Sequence, residues 1–544
     1  MNLSLGDRPR MTSPARFALT TPLYYVNDVP HIGSAYTTMV ADAIARFHRL
    51  KGEEVLFITG TDEHGQKIQR TAAEKGVDPQ THCDEIISSF QALWQHYNIQ
   101  YDRFSRTTDP NHAQIVAEFF QRVWDNGDIY LAQQQGWYCV ACEEFKEEKD
   151  LIEDHHCAIH TNKRAEWRDE ENYFFRLSKY QAQLEALYDE NPDFIQPASR
   201  RNEVINFVKQ GLQDFSISRV NLDWGFPVPT DDSHTIYVWF DALLGYVTAL
   251  LDEGETVTLE NALAKWWPIN LHLIGKDILR FHAIYWPAML MSANLPLPDQ
   301  VFGHGFLTKN GLKMGKSLGN TIDPIALVNQ YGSDALRYYF LKEVELGKDG
   351  DFNETRFINV VNADLANDLG NLLNRTLGML KKYCKSEIPP LDLATIAADH
   401  PLKALGATLG DRTSAAYDQL NLTLACQNIL ELIQASNKYI DDRAPWTLFK
   451  AGEQAQVEET LLTILESVRL AAYLLAPIIP NLSNKIYRQL GFPGDFNDFK
   501  NLATAAPFAS HSCWGMTWSR RTLDKAQPIF ARLELPEAPV DNQA

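Results

Sequence analysis

Cysteine and methionine are scarce in this sequence, with seven and eight residues among 544. An odd number of cysteines in so long a chain argues against a disulfide framework and for a reducing, cytoplasmic compartment. Long apolar runs are missing too. The longest, Leu470 to Pro480, contains Pro477 and Pro480 and is too short to span a bilayer. It reads as a buried helix end, and no membrane association is expected. Positive charge is in deficit: 50 Lys and Arg stand against 70 Asp and Glu, a net charge of -20. Such a chain is not a general coater of nucleic acid, and RNA would have to be bound through local patches and shape. The absence of low-complexity tracts and fixed-period repeats excludes a solenoid. Residues 1–16 hold Arg8, Arg10 and Arg16 without an apolar stretch, so they are expected to be an N-terminal extension and not a secretory signal.

What the chain does have is length and 45% hydrophobic residues, enough for about three or four domains. Phe17 to Leu23 reads as a strand, and Ile32 to Leu50 as a helix with Val40, Ala43, Ile44 and Phe47 on one face, stopped by Gly52. A strand at Val55 to Thr59 and helices at Pro79 to Tyr97 and Asn111 to Asn126 follow. This alternation predicts an α/β fold with a doubly wound, Rossmann-like parallel sheet. The pattern breaks between 129 and 232, read as an insertion. It resumes with strands at Thr235 to Phe240 and Leu271 to Ile274 and helices at Ala242 to Leu251 and Ile278 to Met291. From about Arg356 the periodicity is helical, so an all-α bundle is expected, with a possible last strand at Pro528 to Leu533. The expected boundaries are an extension (1–16), the first half of the catalytic domain (17–128), the connective insertion (129–232), the second half (233–310), a lysine-loop region (311–355), the bundle (356–500) and a tail (501–544).

Inside the insertion, Cys139-Val140-Ala141-Cys142 is followed by Cys157-Ala158-Ile159-His160. Two Cys-x2-ligand pairs at this distance fit one tetrahedral Cys3His zinc knuckle, a closed and therefore structural site. His155 and His156 stand close by, but His160 has the better spacing.

Two short segments carry phosphate chemistry. His31-Ile32-Gly33-Ser34 lies between the first strand and its helix, where a helix N-terminus offers free N–H groups and Gly33 lets a ligand approach the backbone. His31 can donate to a phosphate oxygen or, more plainly, cap the helix. Far downstream, Lys313-Met314-Gly315-Lys316-Ser317 forms a loop flanked by Gly311 and Gly319. Its two lysines can neutralise a triphosphate as charge moves in a transition state.

Together these segments resemble the HIGH and KMSKS signatures of class I aminoacyl-tRNA synthetases. The chain is similar to methionyl-tRNA synthetases in particular, through Thr20 to Asn27, Gly60-Thr61-Asp62-Glu63-His64-Gly65, Tyr237 to Ala242, Leu273-Ile274-Gly275-Lys276-Asp277, Asn437 to Ile440 and Ala444-Pro445-Trp446. The resemblance runs from about residue 17 to 490. It implies activation of L-methionine with ATP, accompanied by Mg2+, and transfer to tRNA(Met). It implies that His31, Ser34, Lys313 and Lys316 are catalytic. ATP would be bound by Gly33, Asp277 (at the ribose hydroxyls), Lys316 and Ser317. The methionine pocket would be Leu23, Tyr25, Trp239, Ala242, Leu243, Tyr246, Ile278 and His282, with Asp62 on the ammonium. Asn371, Arg375 and Trp446 would read the anticodon, with Lys381, Lys382 and Lys385 as a local basic patch. Two positions depart from the common pattern: Ser34 replaces the second histidine of the first signature, and Gly315 the first serine of the second. Other class I synthetases also carry both signatures. Those for leucine, isoleucine and valine need a large editing domain, since one methylene discriminates by only about 1–3 kcal/mol. A synthetase of another amino acid and a non-catalytic tRNA-binding protein on this scaffold remain as alternatives. Family members with a dimerising C-terminal domain are longer than this chain, so a monomer is expected.

Overall fold

The structure is a computed structural model that describes residues 15–158, 161–314 and 319–535. His160, Gly315, Lys316 and Ser317 lie outside the described residues, as does nearly all of the N-terminal extension.

Six strands form the expected parallel sheet: β1 (Arg16–Tyr25), β2 (Glu54–Asp62), β3 (Arg103–Arg106), β4 (Ile195–Gln196), β5 (Leu271–Gly275) and β6 (Val301–His304), in the order β3-β2-β1-β5-β6-β4. All neighbours are parallel. Pro22 sits in the central strand β1, and the register with β2 slips between Thr20 and Leu23, where the missing N–H would otherwise interrupt the ladder. The chain moves outward from β1 through β2 to β3, then returns to lay β5 on the other side of β1. That reversal opens a crevice at the carboxyl ends of β1 and β5, the place where doubly wound sheets bind ligands. The helix α1 (Ile32–Leu50) starts at this crevice and is buried on almost every face, and Gly52 at φ +85° turns the chain out of it.

Several elements differ from expectation. Thr235 to Phe240 does not extend the parallel sheet: the strand is Asp231–Ile236, in a separate three-stranded sheet, and Val238–Ala242 is a short helix. A short apolar run does not distinguish a buried strand from a buried helix. The helix expected at Ala242 to Leu251 is limited to Gly245–Thr248. The one at Ile278 to Met291 is built from a 3-10 turn, a π-helical turn at Phe281–Tyr285 and the α-helix Trp286–Ser292. No strand forms at Pro528 to Leu533. Asn362 instead clasps the Leu533 backbone through both its N–H and its carbonyl. Strands β3 and β4 were not anticipated. The second belongs to the segment read as an insertion, so that segment returns to the edge of the catalytic sheet.

The insertion also shares a core with the catalytic half, where Ile129, Tyr173 and Phe175 pack with Phe240 and Trp286. On the other side, α1 is locked to the bundle α2 (Leu372–Cys384), α3 (Pro401–Asp418), α4 (Leu422–Arg443) and α5 (Gln454–Leu475). Asp42 of α1 accepts from Arg46 and Arg337 at 2.6 Å each, all three fully buried, and Arg337 donates to the carbonyls of Pro477 and Ile478 just past α5. No described helix is long and apolar enough to cross a membrane.

Candidate active site

The crevice is walled by α1 and β5. His31 is the N-cap of α1, and its Nδ1 accepts from the N–H groups of Gly33 at 3.0 Å and Ser34 at 3.3 Å. The capping role is therefore real, and it fixes the tautomer: with Nδ1 accepting, the proton sits on Nε2. Surrounding protein bulk lowers the pKa of His31, with Asp277 pulling the other way, which favours the neutral ring with its proton on Nε2. Gly33 is needed by this cap, because a Cβ there would lie 2.9 Å from the imidazole. Ser34 is buried below it. Opposite, Asp277 is exposed in the turn after β5, and His304 at the end of β6 bonds Thr37 of α1 at 2.7 Å. Lys313 is exposed on a hairpin paired with Gly350–Phe352, and Asn320 donates to its carbonyl, closing the base of the lysine loop.

The residues expected to line a methionine pocket are packed close to the crevice. Ala242, Leu243, Tyr246 and His282 are buried, while Leu23, Tyr25, Trp239 and Ile278 are half-buried. Trp239 stacks on Phe281 at 3.8 Å, a partner supplied by the π-helical turn. His282 donates from Nδ1 to the Ile278 carbonyl and accepts the Tyr246 hydroxyl on Nε2 at 2.8 Å. Burial takes its pKa down to about 4, so no positive charge enters this wall. Asp62 ends β2 with 6% of its surface exposed, and its Oδ1 has no hydrogen-bond partner among the described residues. It does not cap the next helix, whose N-cap is Gly65. Burial and then the charges of Asp241 and Glu143 hold its carboxyl well above the usual range. A buried acceptor left without a partner is costly, and a hydrogen-bond donor placed there would relieve that cost, a cationic one also favouring the ionised carboxylate.

The insertion brings the Sγ atoms of Cys139, Cys142 and Cys157 within 4.8 Å of one another, with Cys142 and Cys157 at 3.6 Å. This cluster can hold a metal ion, since thiolates at about 2.3 Å from a tetrahedral zinc stand about 3.8 Å apart. His155 stacks on Trp137, and His156 bonds the Glu153 carbonyl, so both alternatives to His160 are engaged elsewhere.

The model of the class I tRNA synthetases (M) matches residues 17–152 and 146–377, and that of the anticodon binding domain of methionyl tRNA ligase matches 398–506. The chain is 69% identical to a methionine–tRNA ligase of Synechocystis over 526 residues, which covers 96% of this chain and 99% of that one. It is 68% identical to the Nostoc enzyme of the same name, covering 95% and 97%. The solved Mycobacterium tuberculosis methionyl-tRNA synthetase in complex with methionyl-adenylate superposes with a TM-score of 0.87 at 40% identity, over 95% of this chain and all of that one. The chain belongs to the methionyl-tRNA synthetases.

The three residues expected to read the anticodon lie on the helical part of the chain, and only Trp446 falls within the matched anticodon binding domain. Asn371 is exposed where the π-helical stretch Asn362–Asn371 joins α2, and Arg375 one turn on is paired with Asp441 of α4 at 2.7 Å. Trp446 is 39% exposed on the short helix Pro445–Lys450 directly after α4. Contact of Phe449 with Tyr383 of α2, ring centres 4.5 Å apart, brings the two helices together. The three residues thus share one end of the bundle.

Sequence reasoning passed over several buried charged residues that stand beside these candidate site residues. Asp241 is fully buried and accepts from His64 at 2.6 Å and His112 at 2.8 Å, so its charge behind the pocket is compensated. Glu63 is buried in a bidentate pair with Arg106. A carboxylate within the apolar run Tyr237 to Ala242 was a usable signal for Asp241. Nothing local marked His112 or Glu143.

Proposed function

We propose that the synthetase forms methionyl-adenylate from L-methionine and ATP and passes the methionyl group to tRNA(Met) with the side chains assembled in this crevice. The observation that carries the assignment of roles is the orphaned Oδ1 of Asp62, a buried carboxylate at the carboxyl end of β2. The substrate ammonium satisfies that oxygen. The thioether lies against Trp239 and Tyr246, where polarisable sulfur meets aromatic rings and no charge. Leu23, Tyr25, Ala242, Leu243, Ile278 and His282 complete the walls.

The methionine carboxylate then faces the α-phosphate. It attacks in line, the bond to the β-phosphate oxygen breaks, and pyrophosphate leaves; no protein nucleophile is needed. Neutral His31 donates from Nε2 to a phosphate oxygen, beside the N–H groups of α1. Gly33 keeps the backbone open to the nucleotide, Asp277 takes the ribose hydroxyls, and Ser34 offers one hydroxyl below the helix end. Lys313, Lys316 and Ser317 bear on the triphosphate, with Mg2+ as its counter-ion. A terminal hydroxyl of tRNA attacks the adenylate and AMP departs. Zinc on Cys139, Cys142 and Cys157, with His160 as fourth ligand, serves as a structural ion. Asn371, Arg375 and Trp446 read the anticodon by stacking and edge hydrogen bonds, with Lys381, Lys382 and Lys385 along the phosphates.

The test is ATP–pyrophosphate exchange with methionine, leucine, isoleucine, valine and cysteine. Exchange is expected with methionine alone, and Lys316→Ala should lose about a hundredfold or more of it. Exchange with leucine, isoleucine or valine instead would overturn the pocket assignment.

A further inference from the structure

The loop Asp62-Glu63-His64-Gly65 carries the ammonium acceptor, and it is gripped from several sides. Arg106 holds Glu63, Asp241 holds His64, and Trp224 exchanges hydrogen bonds with Glu63 and Gly65. One further grip is of a different kind. Glu143 follows Cys142 directly, so it is part of the metal knuckle and not of the catalytic sheet. Its carboxylate reaches into the pocket wall. Oε1 accepts the Tyr25 hydroxyl at 2.8 Å and also the backbone N–H of Lys67, at the start of the helix Gln66–Lys75, at 2.8 Å.

Two features show that this arrangement is built tightly. Glu143 is only 6% exposed and has φ +56°, a left-handed conformation that costs a side-chain-bearing residue about 1 kcal/mol. Gly65, at φ +110°, has no room for a side chain: a Cβ there would lie 2.5 Å from Glu143 Oε2 and 2.8 Å from the Tyr25 hydroxyl. The turn that closes around the cysteines is thus the turn that aims the carboxylate.

We propose that Glu143 is a positioning residue for methionine, which fixes Tyr25 and the loop after Asp62 and thereby makes the shape of the amino acid pocket depend on the metal knuckle. The proposal rests on the methionine pocket assigned above. Tyr25 is a half-buried phenol on the pocket wall, and Oε1 of Glu143 accepts its hydroxyl. Without Glu143 the Tyr25 hydroxyl loses the bond that sets the ring's position, and the Lys67 N–H at the helix start loses its acceptor. Other groups hold the nucleotide side, at His31 and Asp277, so ATP binding is not expected to feel the change.

The experiment measures methionine and ATP dependence of pyrophosphate exchange in the full chain with Glu143→Ala and Glu143→Gln. Glu143→Ala should raise KM for methionine about tenfold or more, as expected for losing a hydrogen bond to a charged acceptor, and leave KM for ATP within about twofold. The amide oxygen of Glu143→Gln can still accept both bonds, and most of the methionine affinity should return. Equal rises in both KM values, a change in kcat alone, no change, or no rescue by glutamine each overturns the proposal. Where alanine prevents folding, Tyr25→Phe replaces it: removing the hydroxyl that Glu143 holds should raise KM for methionine and leave KM for ATP within about twofold, and an unchanged KM for methionine or equal rises in both overturn the idea. Methionine titration by tryptophan fluorescence, before and after stripping the knuckle with a chelator, reads the coupling directly. Wild type should lose affinity on stripping and Glu143→Ala should not; no loss in wild type, or equal loss in both, sinks it. Absence of methionine-dependent exchange in wild type would instead reject the pocket assignment itself.

Discussion

At the crevice, Asp62 is 6% exposed with an acceptor unmatched among the described residues, and around it Asp241 is bonded to His64 and His112, Glu63 to Arg106, and Glu143 to Tyr25. At the far end of the bundle, Trp446 is 39% exposed, Asn371 is exposed, and Arg375 has one ion-pair partner at the surface. On the reading proposed above, the first region reads its ligand by a preorganised, buried charge arrangement. The second presents separate groups on a scaffold whose stability comes from elsewhere. Substitutions at the crevice should therefore change binding and stability together, and substitutions at the bundle end should change recognition alone.

The largest expected effect tests that contrast at Asp241. Burial alone would raise its pKa, but His64 and His112 pull it down to about 2. An acid with a lowered pKa contributes stability that is present above about pH 4 and is lost as pH falls toward the folded value. Asp241→Asn should cost about 3–5 kcal/mol of unfolding free energy near neutral pH, and its stability should fall less steeply on acidification. A denaturation series against pH measures both; an unchanged midpoint would show that the buried histidines do not need the charge.

Asp62 should move in the opposite direction. Its raised pKa means that the ionised form is favoured in the unfolded chain, so the stability it contributes is present at acid pH and lost as pH rises toward the folded value. Asp62→Asn is expected to raise Tm near neutral pH while weakening methionine by about 2–5 kcal/mol, the cost of leaving the buried ammonium unpaired. A variant that loses both stability and binding would contradict the assignment of Oδ1 to the substrate.

The smallest effect belongs to the bundle end. Trp446→Ala should lower kcat/KM for aminoacylation by about 1–3 kcal/mol, the worth of one stacked base, with Tm and pyrophosphate exchange unchanged. A drop in exchange or Tm would mean that this end is not separable from the crevice.

Much of the scaffold was legible in advance because its elements are long and periodic. The helices at 32–50, 79–96, 110–125 and 372–384 stand within a residue or two of their expected bounds. Short elements were not. Strand β3 is four residues with two arginines, and β4 is two residues, too brief for any alternation to register. Tyr237 to Ala242 has a β-prone composition but turns into a helix, which presents Trp239 to Phe281 and buries Asp241. The tail, expected to be irregular, is held by the buried pair Glu466–Arg469. Glu466 accepts from Gly515, Met516 and Trp518, and Arg469 donates to the carbonyls of His511 and Cys513.

The sequence by itself determined the order of the signatures, the spacing of Cys139, Cys142 and Cys157, and the family to which these belong, because each is a local pattern of residue types. Tertiary structure alone decided which charges are compensated and which are left open. Asp62 and Asp241 are both buried carboxylates near the pocket, yet one meets two histidines and the other keeps an orphaned oxygen. Tyr25 and Glu143 meet across 118 positions of chain. Such pairings depend on how distant segments cross in a low-dielectric interior, where a single missing or present partner sets the state of a charge, and no periodicity along the chain records that.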